Sequence, residues 1–142
     1  MKKKFLLLLP LILLATFISC SKQIEKPKIS ISQYNVQAVT SKGLVEKILN
    51  ESDYKKMHEI ALAVESSRAV NCISISDDCN ILGQILNKIV QSTNEGLPNE
   101  ENNIAIYKLV NQMNTEFIKG QEILAEQWKA YINAHANEQE NK

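Results

Sequence analysis

Beyond residue 41, apolar residues recur every three or four positions, the period of amphipathic helices. A short first helix capped by Ser41 places Leu44, Val45, Ile48 and Leu49 on one side. A second, starting at Asn50 or Ser52, carries the stripe Tyr54, Met57, Ile60, Ala61 and Val64. Lys55, Lys56, Glu59 and Glu65 fall mainly on its other face, and the pattern fades near Ala69 or Val70. A third helix, capped by Asp77 or Asp78, carries Ile81, Leu82, Ile85, Leu86, Ile89 and Val90. Asn94-Glu95-Gly96 followed by Leu97-Pro98 stops it, with glycine at the C-terminal cap and proline beyond.

The fourth helix starts between Asn99 and Asn102. Its stripe runs Ile106, Val110, Met113, Phe117, Gly120, Leu124, Gln127 and Tyr131, alternating steps of four and three. That is a heptad seam with two weak positions, Gly120 and Gln127, and Trp128 and Ile132 widen it. About 35 residues at 1.5 Å each predict a helix roughly 50 Å long, with Gly120 as its natural kink point. The expected fold is all-α: a small bundle of about four helices, residues 41–137, with a long C-terminal helix. Residues 138–142 read as a disordered tail.

Residues 20–40 read as an extended tether. Lys22 to Lys28 is charged and contains Pro27, and Ile29-Ser30-Ile31-Ser32 alternates with the strand period. No second strand is available to pair with it. Fully extended, such a tether reaches about 65 Å.

The first nineteen residues have a different character. Lys2, Lys3 and Lys4 form a basic start, and Phe5–Ile18 is a 14-residue uncharged run dominated by leucine. This is the layout of a secretory signal; a spanning helix needs about 20 apolar residues. The end of the run, Phe17-Ile18-Ser19-Cys20, resembles the lipobox of bacterial lipoproteins. The resemblance covers residues 1–21 alone. It implies cleavage before Cys20, lipid on Cys20, and residence in the cell envelope. Phe17 departs from the usual leucine of that motif. Ser21, in place of an aspartate, implies the outer membrane if the host is Gram-negative. Several acyl chains anchor stably where a single one does not.

The 142-residue chain supports one domain. It carries 16 Lys+Arg and 16 Asp+Glu; without Lys2–Lys4 the remainder is a formal −3. That mild, unpatterned acidity argues against nucleic acid as a partner. With Cys20 assigned to lipid, Cys72 and Cys79 remain as a pair in an exported chain and read as a disulfide. Closing so short a loop stabilises by roughly 2–3 kcal/mol. The enclosed Ile73-Ser74-Ile75-Ser76-Asp77-Asp78 then becomes a stapled connection, and a rigid loop of this kind can carry binding. Ile73, Ile75 and Asp77 are its candidate partner-binding residues, with Trp128 and Tyr131 as aromatic anchors on the last helix.

Other constellations fail. His58-Glu59 opens like a zinc-protease helix, but Leu62 stands where the second histidine belongs. Asp77-Asp78 lacks the remaining ligands of a calcium loop and reads as helix capping. His58 and His135 are isolated, so neither a metal nor another cofactor is expected. The four glycines are scattered, which excludes a phosphate loop. Without a catalytic set, the expected function is protein binding by a lipid-anchored helical domain, as in immunity, exclusion or envelope-assembly accessories. The C-terminal seam also allows self-association. The alternative is a carrier of a small apolar ligand held among Leu82, Ile85, Ile89, Met113 and Phe117.

Overall fold

The computed structural model describes residues 23–96 and 99–139, the side chain of Gln139 excepted. Cys20 and the rest of the signal segment lie outside the described residues. Four helices follow in order: α1 (Ile31–Leu49), α2 (Tyr54–Asn71), α3 (Asp78–Asn94) and α4 (Glu100–Gln139). No strand occurs among the described residues. The all-α bundle with a long C-terminal helix is therefore the observed architecture. At 40 residues, α4 is about 60 Å long and runs unbroken through Gly120 and on through Gln139.

The first helix starts eleven residues earlier than the apolar period predicts, capped by Ser30 and not Ser41, and the extended segment ends at Ser30, not residue 40. The cause is local. Gln33 N–H donates to Ser30 Oγ (3.1 Å), and Ser30 N–H donates to Gln33 Oε1 (2.9 Å), a complete capping box. Ile29 and Tyr34 occupy the positions of a hydrophobic staple, and both are buried in the core. The alternation over residues 29–32 is thus a helix entry rather than a strand. Asp53, not Asn50 or Ser52, caps α2 by accepting from Lys55 N–H at 3.0 Å. Gly96, with φ +102°, ends α3 in the left-handed conformation glycine permits. Asn99 Oδ1 accepts from Asn102 N–H at 2.7 Å at the start of α4.

α3 is the central element and packs mainly on α4 and α2; α1 packs more lightly on α4 and α2. Leu82, Ile85, Leu86 and Ile89 of α3 meet Ile106, Met113, Phe117 and Leu124 of α4 in one core. Met57 and Ala61 of α2 and Val45 and Ile48 of α1 close it. Along α4 the heptad seam holds to Leu124 and then shifts: Gln127 is exposed, and half-buried Trp128 takes over. A straight helix drifts about 20° per heptad against a 3.5-residue repeat, which moves the inward position on by one.

Gly120 is a notch. A Cβ there would collide with Tyr34 Oη and stand 2.6 Å from Tyr34 Cζ. The phenol of α1 lies across the backbone of α4, edge-on to Phe117 at 5.9 Å. Gly120→Ala is expected to lower stability by about 2–3 kcal/mol, read by urea unfolding, because neither a ring nor a helix backbone yields cheaply. An unchanged midpoint would show that the approach is not needed.

Candidate functional site

The α2–α3 connection is where polar chemistry concentrates. Cys72 and Cys79 are joined, S–S 1.97 Å and Cα–Cα 6.0 Å. Cys72 caps the end of α2 and is half-buried; Cys79, in the first turn of α3, is only 5% exposed. Gln37 of α1 reaches over the bridge. Its Nε2 lies 3.4 Å from Cys72 Sγ, 3.9 Å from Cys79 Sγ and 3.3 Å from the Ile73 carbonyl. Arg68 Nη1 donates to the Cys79 carbonyl at 3.2 Å, while Nε and Nη2 hold Glu65 at 2.7 and 2.6 Å.

The two aspartates behave differently from the capping expected of them. Asp77 occupies the N-cap position, but its side chain makes no capping hydrogen bond. Its N–H donates to Glu116 Oε2 at 3.2 Å. Asp78 turns inward and is fully buried. Its Oδ1 lies 2.6 Å from Ser76 Oγ and its Oδ2 3.7 Å from Cys79 Sγ. Ser76 Oγ is also 2.7 Å from the Glu116 carbonyl of α4. The loop is thereby tied to both α3 and α4.

Burial pushes the Asp78 carboxyl above its ordinary value, against the opposing hydrogen bond from Ser76. Proton counting agrees with this direction. A serine hydroxyl has one hydrogen, and Ser76 Oγ has two close acceptors. A neutral Asp78 supplies the second proton and satisfies both contacts. Tyr34 Oη lies beside Ser76 and Asp78, yet meets no partner at bonding geometry. Burial first, then the charges of Asp78 and Glu116, push this phenol up to about 12.

An apolar groove of about 490 Å³ opens beside the bridge, between α1 and α2. Leu44, Ile60, Ala63, Val64 and Leu82 line it, and Cys72 lies at one end with Gln37, Arg68 and Asn71. Ile73 (46% exposed) and Val70 (82%) are its apolar neighbours on the surface. Of the other loop candidates, Asp77 is exposed and Ile75 is half-buried against the core.

Trp128 and Tyr131 belong elsewhere. Twelve residues of α4 separate Trp128 from Glu116, about 18 Å along the axis. Trp128 Nε1 donates to the Ile29 carbonyl at 2.9 Å, and Lys26 Nζ stands 5.8 Å from the indole centroid. Tyr131 packs edge-on to Trp128 at 6.0 Å. Trp128 thus clasps the segment leading into α1. His58 pairs with Thr93 (2.8 Å), and His135 with the Tyr131 carbonyl of its own helix (2.9 Å).

The donor atoms of Cys72, Asp78 and Cys79 lie within 4.8 Å of one another. The sulfurs are bonded to each other, so this trio offers no thiolate to a cation. The proposed carrier site is filled by side chains: Leu82, Ile85, Ile89, Met113 and Phe117 are all buried in the core. Ile89 borders a cleft of about 180 Å³, and Leu82 borders the groove. Tyr34, Gln37, Ser76 and Asp78 are the residues of this site that the apolar period does not reveal. No family model matches the chain, and no curated protein or solved structure is similar to it.

The unfolded-state value of Asp78 is the ordinary one near 3.8, and the folded value lies above it. Folding therefore favours the neutral acid. This contribution is complete below the ordinary value and is lost as pH rises through the raised one. Asp78→Asn does not titrate. The urea midpoint of the wild type relative to Asp78→Asn is expected to climb as pH falls from 7 towards 4. A difference that stays flat or shrinks would contradict the buried neutral carboxyl.

Proposed function

We propose that this chain is a lipid-anchored protein of the bacterial cell envelope whose helical domain binds another protein. The observation that carries the reading is the N-terminal order: Lys2–Lys4, the uncharged run Phe5–Ile18, then Ser19-Cys20. No helix among the described residues is long and apolar enough to cross a membrane. Ser21 favours the outer membrane in a Gram-negative host. Immunity, exclusion and envelope-assembly accessories are the classes in view.

The geometry supports a partner docking away from the bilayer. The segment from Gln23 reaches Ile29 beside Trp128, which is 28 residues from the start of α4. Glu100 at the start of α4 therefore lies about 40 Å further along the helix axis than the clasp, and Glu116 beside the disulfide loop about 18 Å. On this reading the tether is short, because Ile29 is already seated in the core. A rigid bundle then does the reaching that the expected 65 Å linker would have done. The disulfide loop and groove, flanked by exposed Ile73 and Val70, offer an apolar face at the bundle's side. The groove also favours a second reading, carriage of a small apolar ligand there rather than in the filled core.

Full-length chain expressed in a bacterial host is expected to incorporate labelled palmitate and partition into the detergent phase. Cys20→Ser is expected to lose both. A Cys20→Ser protein that stays membrane-bound after signal removal would contradict lipidation. For binding, the folded chain is expected to retain a stoichiometric protein from native envelope fractions, and Leu86→Asp, which buries a charge, is expected to retain none. Retention of lipid or a small molecule in place of protein would favour the carrier.

A further inference from the structure

The disulfide has more around it than a staple needs. A buried carboxylic acid costs stability unless its surroundings use it. Asp78 Oδ2 nevertheless faces Cys79 Sγ at 3.7 Å, and a bonded sulfur carries no hydrogen of its own. A proton between them can come only from Asp78, whose single acid proton rests on the Oδ1 side against Ser76 Oγ and moves to Oδ2 to reach the sulfur. The two sulfurs also differ in access: Cys72 borders the groove, and Cys79 is buried. Gln37 Nε2 approaches both sulfurs from the other side. Next to Asp78 sits a buried phenol, Tyr34, with no hydrogen-bond partner.

We propose that the Cys72–Cys79 bridge is an exchange site for a dithiol on a segment of a second polypeptide, with Cys72 the sulfur attacked and Asp78 the acid that protonates Cys79. The incoming thiolate attacks Cys72 Sγ and forms a mixed disulfide with it. The Cys72–Cys79 bond breaks, and its electron pair goes to Cys79 Sγ. The Asp78 proton passes to that sulfur, which leaves a buried neutral thiol in place of a buried thiolate. The resulting Asp78 carboxylate gains an acceptor's use for the Tyr34 hydroxyl, and Ser76 can turn its hydrogen to the same oxygen pair. The partner's second thiol gives its proton to water and attacks the mixed disulfide. Cys72 is released and takes a proton from solvent. The partner ends as a disulfide, this chain as a dithiol, and two electrons have moved between them. The groove beside Cys72 accommodates the apolar residues flanking the partner's cysteines.

The test uses the oxidised full-length chain in non-ionic detergent, with dithiothreitol and glutathione as probes. Samples are quenched by alkylation and mapped by mass spectrometry. Under native conditions the reduction rate is expected to rise linearly with thiol concentration over a hundredfold range. Glutathione is expected to be trapped on Cys72, with Cys79 as the free thiol. Asp78→Asn is expected to slow the reaction by about tenfold or more, as loss of a positioned acid does. A rate that levels off at the global unfolding rate, or glutathione trapped on Cys79, would overturn the proposal. Both are read on the wild type, so the outcome does not depend on the variant folding. A folded Asp78→Asn that reacts as fast as the wild type would remove Asp78 from the mechanism.

Discussion

The contact on which the rest of the structure depends is the phenol of Tyr34 lying in the notch at Gly120. It is where α1, α4 and the disulfide loop meet. Burying a tyrosine removes about 150–250 Å² from water, worth roughly 4–6 kcal/mol. Leaving its hydroxyl without a partner costs about 1–3 kcal/mol. Burial wins, and the fold keeps an unsatisfied donor at its centre. α1 packs more lightly than the other helices, so this ring, the Ile29–Tyr34 staple, the Asn35–Gln121 hydrogen bond and the buried Val45 and Ile48 carry its attachment.

From that contact the polar interior follows. Ser76 and Asp78 come to the same place because Ser76 is tied to the Glu116 carbonyl of α4, one turn before Gly120. The bridge then fixes the end of α2 to the start of α3. A second fixed point lies about 18 Å away, where Trp128 holds the Ile29 carbonyl. The two points divide the labour. One orients the chain's entry from the membrane side on the proposed reading, and the other presents the loop and groove.

Much of this was legible in the sequence. The stripe of the second helix apart from exposed Tyr54, that of the third, that of the fourth as far as Leu124, the Gly96 stop and the Cys72–Cys79 pairing are found where their spacing predicts them. Each is a local pattern with one physical cause. The start of α1 escapes the apolar period because Ile29-Ser30-Ile31-Ser32 has two periods at once. The signal that resolves it, Ser30 with Gln33 three residues on, is a capping box visible in the letters. Asp78 has the sequence position of a cap, because an aspartate before a helix ordinarily is one. Its burial depends on Ser76 and Tyr34, which are distant from it in packing logic and, for Tyr34, in sequence. Gly120 looked like a weak seam position or a kink. It is small because a ring from another helix needs the space, which no single-helix pattern encodes.

The most direct test of this account is native-state amide hydrogen exchange on the oxidised chain, read by mass spectrometry, with Tyr34→Leu alongside. If Tyr34 couples the elements, the variant loses protection in residues 31–49 and in residues 72–79 together, while the α3–α4 core keeps its own. Loss confined to residues 31–49, with the loop as protected as in the wild type, would contradict the claim that one ring holds them together.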